Sequence, residues 1–135
     1  MAIVVGYVTT SEGEAALSAA IEEARRRSSR LVVVLARKSR GDAAADTALD
    51  ADADAVRDLL DEADVAYDVR QLRRADDVAE SIVTTADEVG ADLIVIGLRR
   101  RSPVGKLILG SNAQRILLDA PCPVLAVKPV ATAES

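Results

Sequence analysis

Hydrophobic residues along the chain fall into short continuous runs separated by longer amphipathic segments. The runs at residues 3–8, 31–36 and 93–97 consist mostly of Val, Ile and Leu, which predicts strands that are covered on both faces. Residues 65–72 alternate between apolar and polar side chains, as in a strand near a sheet edge, and residues 123–128 form the last strand-like run. The pattern therefore predicts five strands.

Between these runs, apolar residues recur at helical spacing, and four helices are predicted. Helical crossovers between successive strands indicate an α/β fold: a single doubly wound, mostly parallel five-stranded sheet of order βαβαβαβαβ, with helices on both faces. The chain of 135 residues is predicted to form one domain over residues 1–130, with a frayed tail at 131–135. The helices are expected at about 11–29, 50–63, 77–90 and 111–120, with a polar loop over 37–47.

Helix starts are predicted from pairs of residues with capping-box spacing. Ser11 precedes Glu14 by three positions, and Ser111 precedes Gln114 by the same interval, so both serines are expected to be N-caps. Asp77 has this relation to Glu80 at the start of the third helix. That helix is expected to end where a glycine at position 90 can adopt a left-handed conformation.

Composition excludes several classes of function. The net charge of −5 argues against a nucleic acid or an anionic membrane as the main partner, and the only aromatic residues are Tyr7 and Tyr67, which argues against base stacking. The absence of histidine removes His-based catalysis and His-ligated metals. Because the first residues lack a signal-peptide pattern and no apolar run reaches membrane-spanning length, we expect a cytoplasmic protein.

The segment after the run at 93–97 is the best candidate for an anion site. It begins at Gly97, contains the basic cluster Arg99, Arg100 and Arg101, and reaches a predicted helix start at Ser111. A helix N-terminus with nearby cations and free backbone N–H groups favours a phosphate.

Three known phosphate-binding patterns do not match. The dinucleotide pattern G-x-G-x-x-G is absent after the first strand, and a P-loop would need Gly at Arg100 and Ser or Thr at Leu107. A receiver domain would need acidic residues after the first strand, where the chain has Val8 and two threonines.

One family does match. Nucleotide-binding members of the universal stress protein family have G-x-x-G, nine residues and G-[ST] between the fourth strand and the fourth helix. Here Gly97 is the first Gly, and Gly110 with Ser111 is the closing pair. The segments AALSAA, ADLIVIG, GKLILGS and APCPVLAVKP also resemble the family, so the similarity extends over nearly the whole chain.

The resemblance implies a regulatory homodimer that acts in the stress response and binds ATP or AMP. Phosphates are expected between Gly97 and Asn112, adenine near Val8 and Ala36, and Mg²⁺ only through phosphate oxygens. No residue is expected to be catalytic, so that any enzymatic activity is at most slow ATP hydrolysis. The residues expected to contact the nucleotide are Val8, Thr9, Ala36, Ile96, Gly97, Arg99, Arg100, Arg101, Gly110, Ser111 and Asn112.

Two positions differ from the family pattern and support an alternative. The Asp that commonly ends the first strand falls on Val8, and the second Gly falls on Arg100, whose guanidinium could either crowd a phosphate or bind it. The alternative is a non-nucleotide dimerisation or protein-interaction module of the same fold. In the family the last strand commonly pairs with its copy, so the resemblance also implies a homodimer through Val124–Val127.

Overall fold

The computed structural model describes residues 1–8, 10–36, 43–73, 76–100 and 107–129, with the backbone alone at 43–48, 99–100 and 107–108. The tail predicted at 131–135 lies outside the described residues. Strands are Ala2–Tyr7 (β1), Arg30–Leu35 (β2), Tyr67–Gln71 (β3), Ala91–Gly97 (β4), Arg99–Arg100 (β5), Leu107–Ile108 (β6) and Val124–Val127 (β7). Helices are Ser11–Arg27 (α1), Ala43–Ala63 (α2), Val78–Val89 (α3) and Ser111–Asp119 (α4).

Five of the strands form one parallel sheet in the order β3-β2-β1-β4-β7, which confirms the predicted fold class. The chain builds outward from β1 to β3 and then returns to the other side of β1 with β4, so the strand order reverses between β1 and β4. The remaining strands, β5 and β6, form a separate antiparallel ribbon that the sequence pattern did not predict.

Two layers of apolar side chains sandwich the sheet. On one face, Ile3, Leu31 and Val95 pack against α1 and α2; on the other, Val4 and Ile94 pack against α3 and α4. Successive side chains of the central strands therefore point into opposite cores, and the side chains on both faces of the sheet are fully buried. This explains why β1, β2 and β4 are continuous apolar runs rather than alternating ones.

Two of the predicted N-caps, Ser11 and Ser111, are wrong by one residue. The N-cap of α1 is Thr10, whose hydroxyl accepts a hydrogen bond from the N–H of Gly13 at 3.2 Å, and Ser11 is already helical. Adjacent hydroxyl residues offer the same chemistry, so spacing alone did not separate them. At α4 the N-cap is Gly110, which has no side chain to cap the helix, and Ser111 is already helical; Nε2 of Gln114 donates to the carbonyl of Leu109 at 3.1 Å.

The third helix has the predicted ends. Asp77 accepts from the N–H of Glu80 at 3.1 Å, and Gly90 follows the helix in the left-handed region at φ 62°. The second helix begins earlier than predicted, at residue 43 rather than 50. Alanine has the highest helix propensity, so the run of Ala at 43–45 continues the helix into the predicted loop.

Candidate functional site

A cleft of about 380 Å³ lies beyond the carboxyl ends of β1 and β4. The strand order reverses at this point. Open α/β sheets bind their ligands there, because the loops after the two neighbouring strands lead to opposite faces of the sheet and leave a crevice between them. The volume is within the range of small-molecule sites. Its lining residues are Gly6, Tyr7, Val8, Thr10, Glu12, Gly13, Val34, Ala36, Val78, Ile82, Ile96, Gly97, Leu98, Gly110, Ser111, Asn112, Ala113 and Ile116.

Two glycines bring the first turn of α1 against the strand ends. A Cβ added at Gly13 would lie 2.9 Å from the carbonyl carbon of Val8, and one added at Gly97 would lie 2.7 Å from the carbonyl carbon of Glu12. Both obstructions are backbone atoms, which cannot rotate away as a side chain can. Gly97 therefore has a packing role at the end of β4 that does not depend on any ligand.

Gly110 has the opposite environment. A Cβ added there would meet no atom of the described residues within 4 Å, and its φ of −70° and ψ of 169° are open to any residue. Neither packing nor backbone conformation requires glycine at this position. The open space in front of Gly110 belongs to the cleft, where a ligand could approach the backbone closely.

The helix N-termini at the cleft differ in charge. The first turn of α1 contains Glu12 and Glu14, and α3 is capped by Asp77, so carboxylates already offset both helix dipoles. The first turn of α4 has neither an acidic residue nor a side-chain cap. Within the described ranges no group accepts from the N–H groups of residues 111–113, so α4 is the end that favours an anion.

An ion pair links the two helices on this face of the sheet. Nη1 of Arg115 in α4 donates to Oδ2 of Asp77 at 2.8 Å, while the other carboxylate oxygen of Asp77 caps α3. The N–H of Glu80 and then the Arg115 guanidinium hold the pKa of Asp77 below its usual value. The same hydrogen bond raises the pKa of Arg115. The start of α3 is thereby joined to the second turn of α4.

The structure brings seven of the eleven predicted nucleotide-contacting residues around this one cleft: Val8, Ala36, Ile96, Gly97, Gly110, Ser111 and Asn112. They come from the carboxyl ends of β1, β2 and β4 and from the start of α4, which are distant in sequence. Thr9 and Arg101 lie outside the described residues. At Arg99 and Arg100 the description covers the backbone, which forms β5, and stops short of the side chains.

Several lining residues were not predicted from the sequence. Thr10 follows β1, and the rule that ligands bind beyond strand ends would have pointed to it, whereas Glu12 lies in the first turn of α1. Val78 and Ile82 come from α3, which packs on the same face of the sheet as α4. Whether these two side chains reach the cleft depends on the angle at which α3 crosses the strands, which no local sequence pattern predicts.

Comparison with known proteins decides the family. A sequence profile of the universal stress protein family matches residues 1–128. The chain belongs to the universal stress protein family. A universal stress protein of Mycolicibacterium smegmatis is 46% identical over 129 residues, which is 94% of this chain and 97% of that protein.

Solved universal stress proteins have the same architecture. One from Archaeoglobus fulgidus superposes with a TM-score of 0.80 at 34% identity, covering 95% of this chain and 98% of the other. Another from the same organism, solved in complex with dAMP, gives a TM-score of 0.76 at 28% identity with the same coverage.

Across the described ranges, no group of three or more His, Cys, Asp or Glu side chains could hold a metal ion. Over the same part of the chain, every helix is too short or too polar to cross a membrane.

Proposed function

We propose that this universal stress protein binds an adenine nucleotide, ATP or AMP, in the cleft beyond β1 and β4 and acts as a regulatory homodimer. The observation that supports the proposal most is the uncapped N-terminus of α4. Its N–H donors face a cleft of nucleotide size, and the glycine in front of them leaves room for a phosphate. The dAMP complex of the A. fulgidus relative supports the same ligand class.

The two ends of the cleft suit the two ends of a nucleotide. Gly110, Ser111 and Asn112 are exposed polar backbone at the start of α4, which suits the phosphates. Ala36 and Ile96 are buried, and Val8 is half-buried; these aliphatic side chains suit the flat apolar faces of adenine. Mg²⁺ would bind through the phosphate oxygens.

Calorimetric titration with ATP, ADP and AMP tests the proposal. We expect saturable heat with at least one of the three and a rise in the unfolding midpoint at millimolar ligand, because a ligand that binds only the native state stabilises it. Gly110→Val should abolish the heat and lower the unfolding midpoint without ligand by only a few degrees, because the added side chain meets no described atom but valine is a poorer N-cap than glycine. No heat and no thermal shift with the unmodified chain would refute nucleotide binding.

The homodimer is proposed through β7. This strand is at the sheet edge, no described strand pairs with its outer side, and its four residues are the apolar Val124–Val127. Leu125 is 37% exposed there, and an uncovered apolar edge strand promotes association. Light scattering after size exclusion should give a dimer at micromolar concentration, and Leu125→Lys should give a monomer. A monomeric unmodified chain would contradict this arrangement.

The same apolar edge favours a second function, a protein-interaction module that uses no nucleotide. Mass spectrometry of small molecules released from freshly purified protein separates the two. Adenine nucleotide in the released fraction supports the regulatory nucleotide-binding function, whereas its absence together with an intact dimer supports the interaction module.

A further inference from the structure

The described lining of the cleft contains a single carboxylate, Glu12. This residue is half-buried in the first turn of α1. It also packs on the end of β4, since a Cβ added at Gly97 would lie 3.1 Å from the Cβ of Glu12. The position of the residue in the cleft is therefore fixed by backbone packing rather than by a flexible loop.

Glu12 has no hydrogen bond or ion pair with any described residue, whereas some acidic side chains of the chain are paired. Glu23 pairs with two arginines of its own helix, and Asp77 pairs with Arg115. The carboxylate oxygens of Glu12 are not among the buried atoms that lack a partner, so they are open to the cleft and can accept hydrogen bonds from a ligand at up to four positions.

The chemistry of a carboxylate limits what the partner can be. A phosphate would be repelled, and it already has a favourable place at α4, on the opposite face of the sheet from α1. The ribose of a nucleotide has neighbouring hydroxyls that can both donate to one carboxylate, and such charge-assisted O–H···O⁻ bonds are short and strong. Carboxylates perform this role in other doubly wound folds.

We propose that Glu12 is the specificity-determining residue of the cleft, and that its carboxylate accepts hydrogen bonds from the ribose hydroxyls and makes the site prefer ribonucleotides to 2′-deoxyribonucleotides. The proposal rests on the nucleotide-binding function proposed above and identifies the sugar that the same site selects. Hydrogen bonds to a charged acceptor correspond to a preference of about tenfold or more.

The test compares the dissociation constants of AMP and 2′-deoxy-AMP for the unmodified chain, Glu12→Ala, Glu12→Gln and Glu14→Ala. Glu14 is the matched control, because it is exposed in the same first turn and does not line the cleft. We expect the preference for AMP to fall to near unity in Glu12→Ala, to be intermediate in Glu12→Gln, and to be unchanged in Glu14→Ala. Titrations are repeated with EDTA, and unfolding midpoints verify that each variant is folded.

Several results would overturn the proposal while leaving nucleotide binding intact. These are an unchanged preference in Glu12→Ala, an equal loss of affinity for both nucleotides, an equal effect of Glu14→Ala, or an effect that disappears with EDTA and so identifies Glu12 as a metal ligand. An unmodified chain that binds neither nucleotide would overturn both proposals together.

Discussion

Gly110→Ser should raise stability and lower nucleotide affinity at the same time. Serine is a preferred N-cap, and the extended backbone at Gly110 is the conformation from which an N-cap side chain accepts a hydrogen bond. The new hydroxyl has room, since no atom in the described part of the chain lies within 4 Å of an added Cβ. It would accept from the N–H of Asn112 or Ala113, which no described group does at present.

The two effects have different sizes. Replacing Gly by Ser at an N-cap stabilises by a few tenths of a kcal/mol, or roughly 1–2 °C in Tm for a domain of this length. Removing one N–H donor from a bound phosphate loses a charge-assisted hydrogen bond of about 1.5–3 kcal/mol, which is at least a tenfold loss of affinity. The small gain in the free protein is thus accompanied by a larger loss in the complex.

Thermal unfolding and calorimetry with AMP measure both quantities on the same sample. Ser28→Gly is the matched control, because Ser28 has a left-handed backbone at φ 53° beyond α1, far along the helix from the cleft, where glycine relieves roughly 0.5–1 kcal/mol. It should raise Tm and leave AMP affinity unchanged. If Gly110→Ser gains stability but binds AMP as tightly as the unmodified chain, the N–H groups at the start of α4 do not hold the phosphate.

Three further outcomes are expected. Gly97→Ala should lower Tm by roughly 10 °C, from about 3 kcal/mol of overpacking against the Glu12 backbone, and a change within 2 °C would contradict the close approach. Ser29→Ala should be neutral or stabilising by about 1 kcal/mol in denaturant unfolding, because the buried Ser29 hydroxyl has no partner among the described residues. Asp77 has a lowered pKa, so its contribution to stability is present above pH 3.8 and is lost as the pH falls below that value. Asp77→Asn keeps a capping oxygen and should therefore reduce the loss of Tm on acidification. A Tm that falls with pH as it does in the unmodified chain would contradict the pairing with Arg115.

The fold was largely predictable because its signals are local. Continuous apolar runs at β1, β2 and β4 report burial on both faces, and helical segments between strands require parallel pairing. The ribbon of β5 and β6 was not predictable, since two residues on each side are too few for any periodicity. The early start of α2 differs from the prediction because the helix propensity of the alanines at 43–45 extends the helix into a segment bordered by polar residues.

The position of the cleft in the fold was predictable from the sequence, but the full set of residues that line it was not. Val8, Ala36 and Gly110 could be placed because each immediately follows a strand or precedes a helix, and strand ends meet at one edge of a parallel sheet. Ile82 and Glu12 enter the cleft from helices, and their presence depends on the seating of α1 and α3 on the sheet. That seating is determined by close contacts such as the one between Gly13 and Val8, which sequence spacing does not reveal.

Gly97 and Gly110 show that a match to a sequence motif does not establish which of its residues contact a ligand. Both belong to the family pattern, yet the first packs against the backbone of Glu12 and the second faces open space. A substitution at Gly97 that abolished nucleotide binding would not distinguish a lost phosphate contact from a displaced α1, because Glu12 would move as well. Gly110 is free of this ambiguity, because a change there leaves the packing of α1 in place and its effect on stability can be measured separately from its effect on the ligand. The function of the cleft is therefore best tested from the α4 side, with stability as an independent readout.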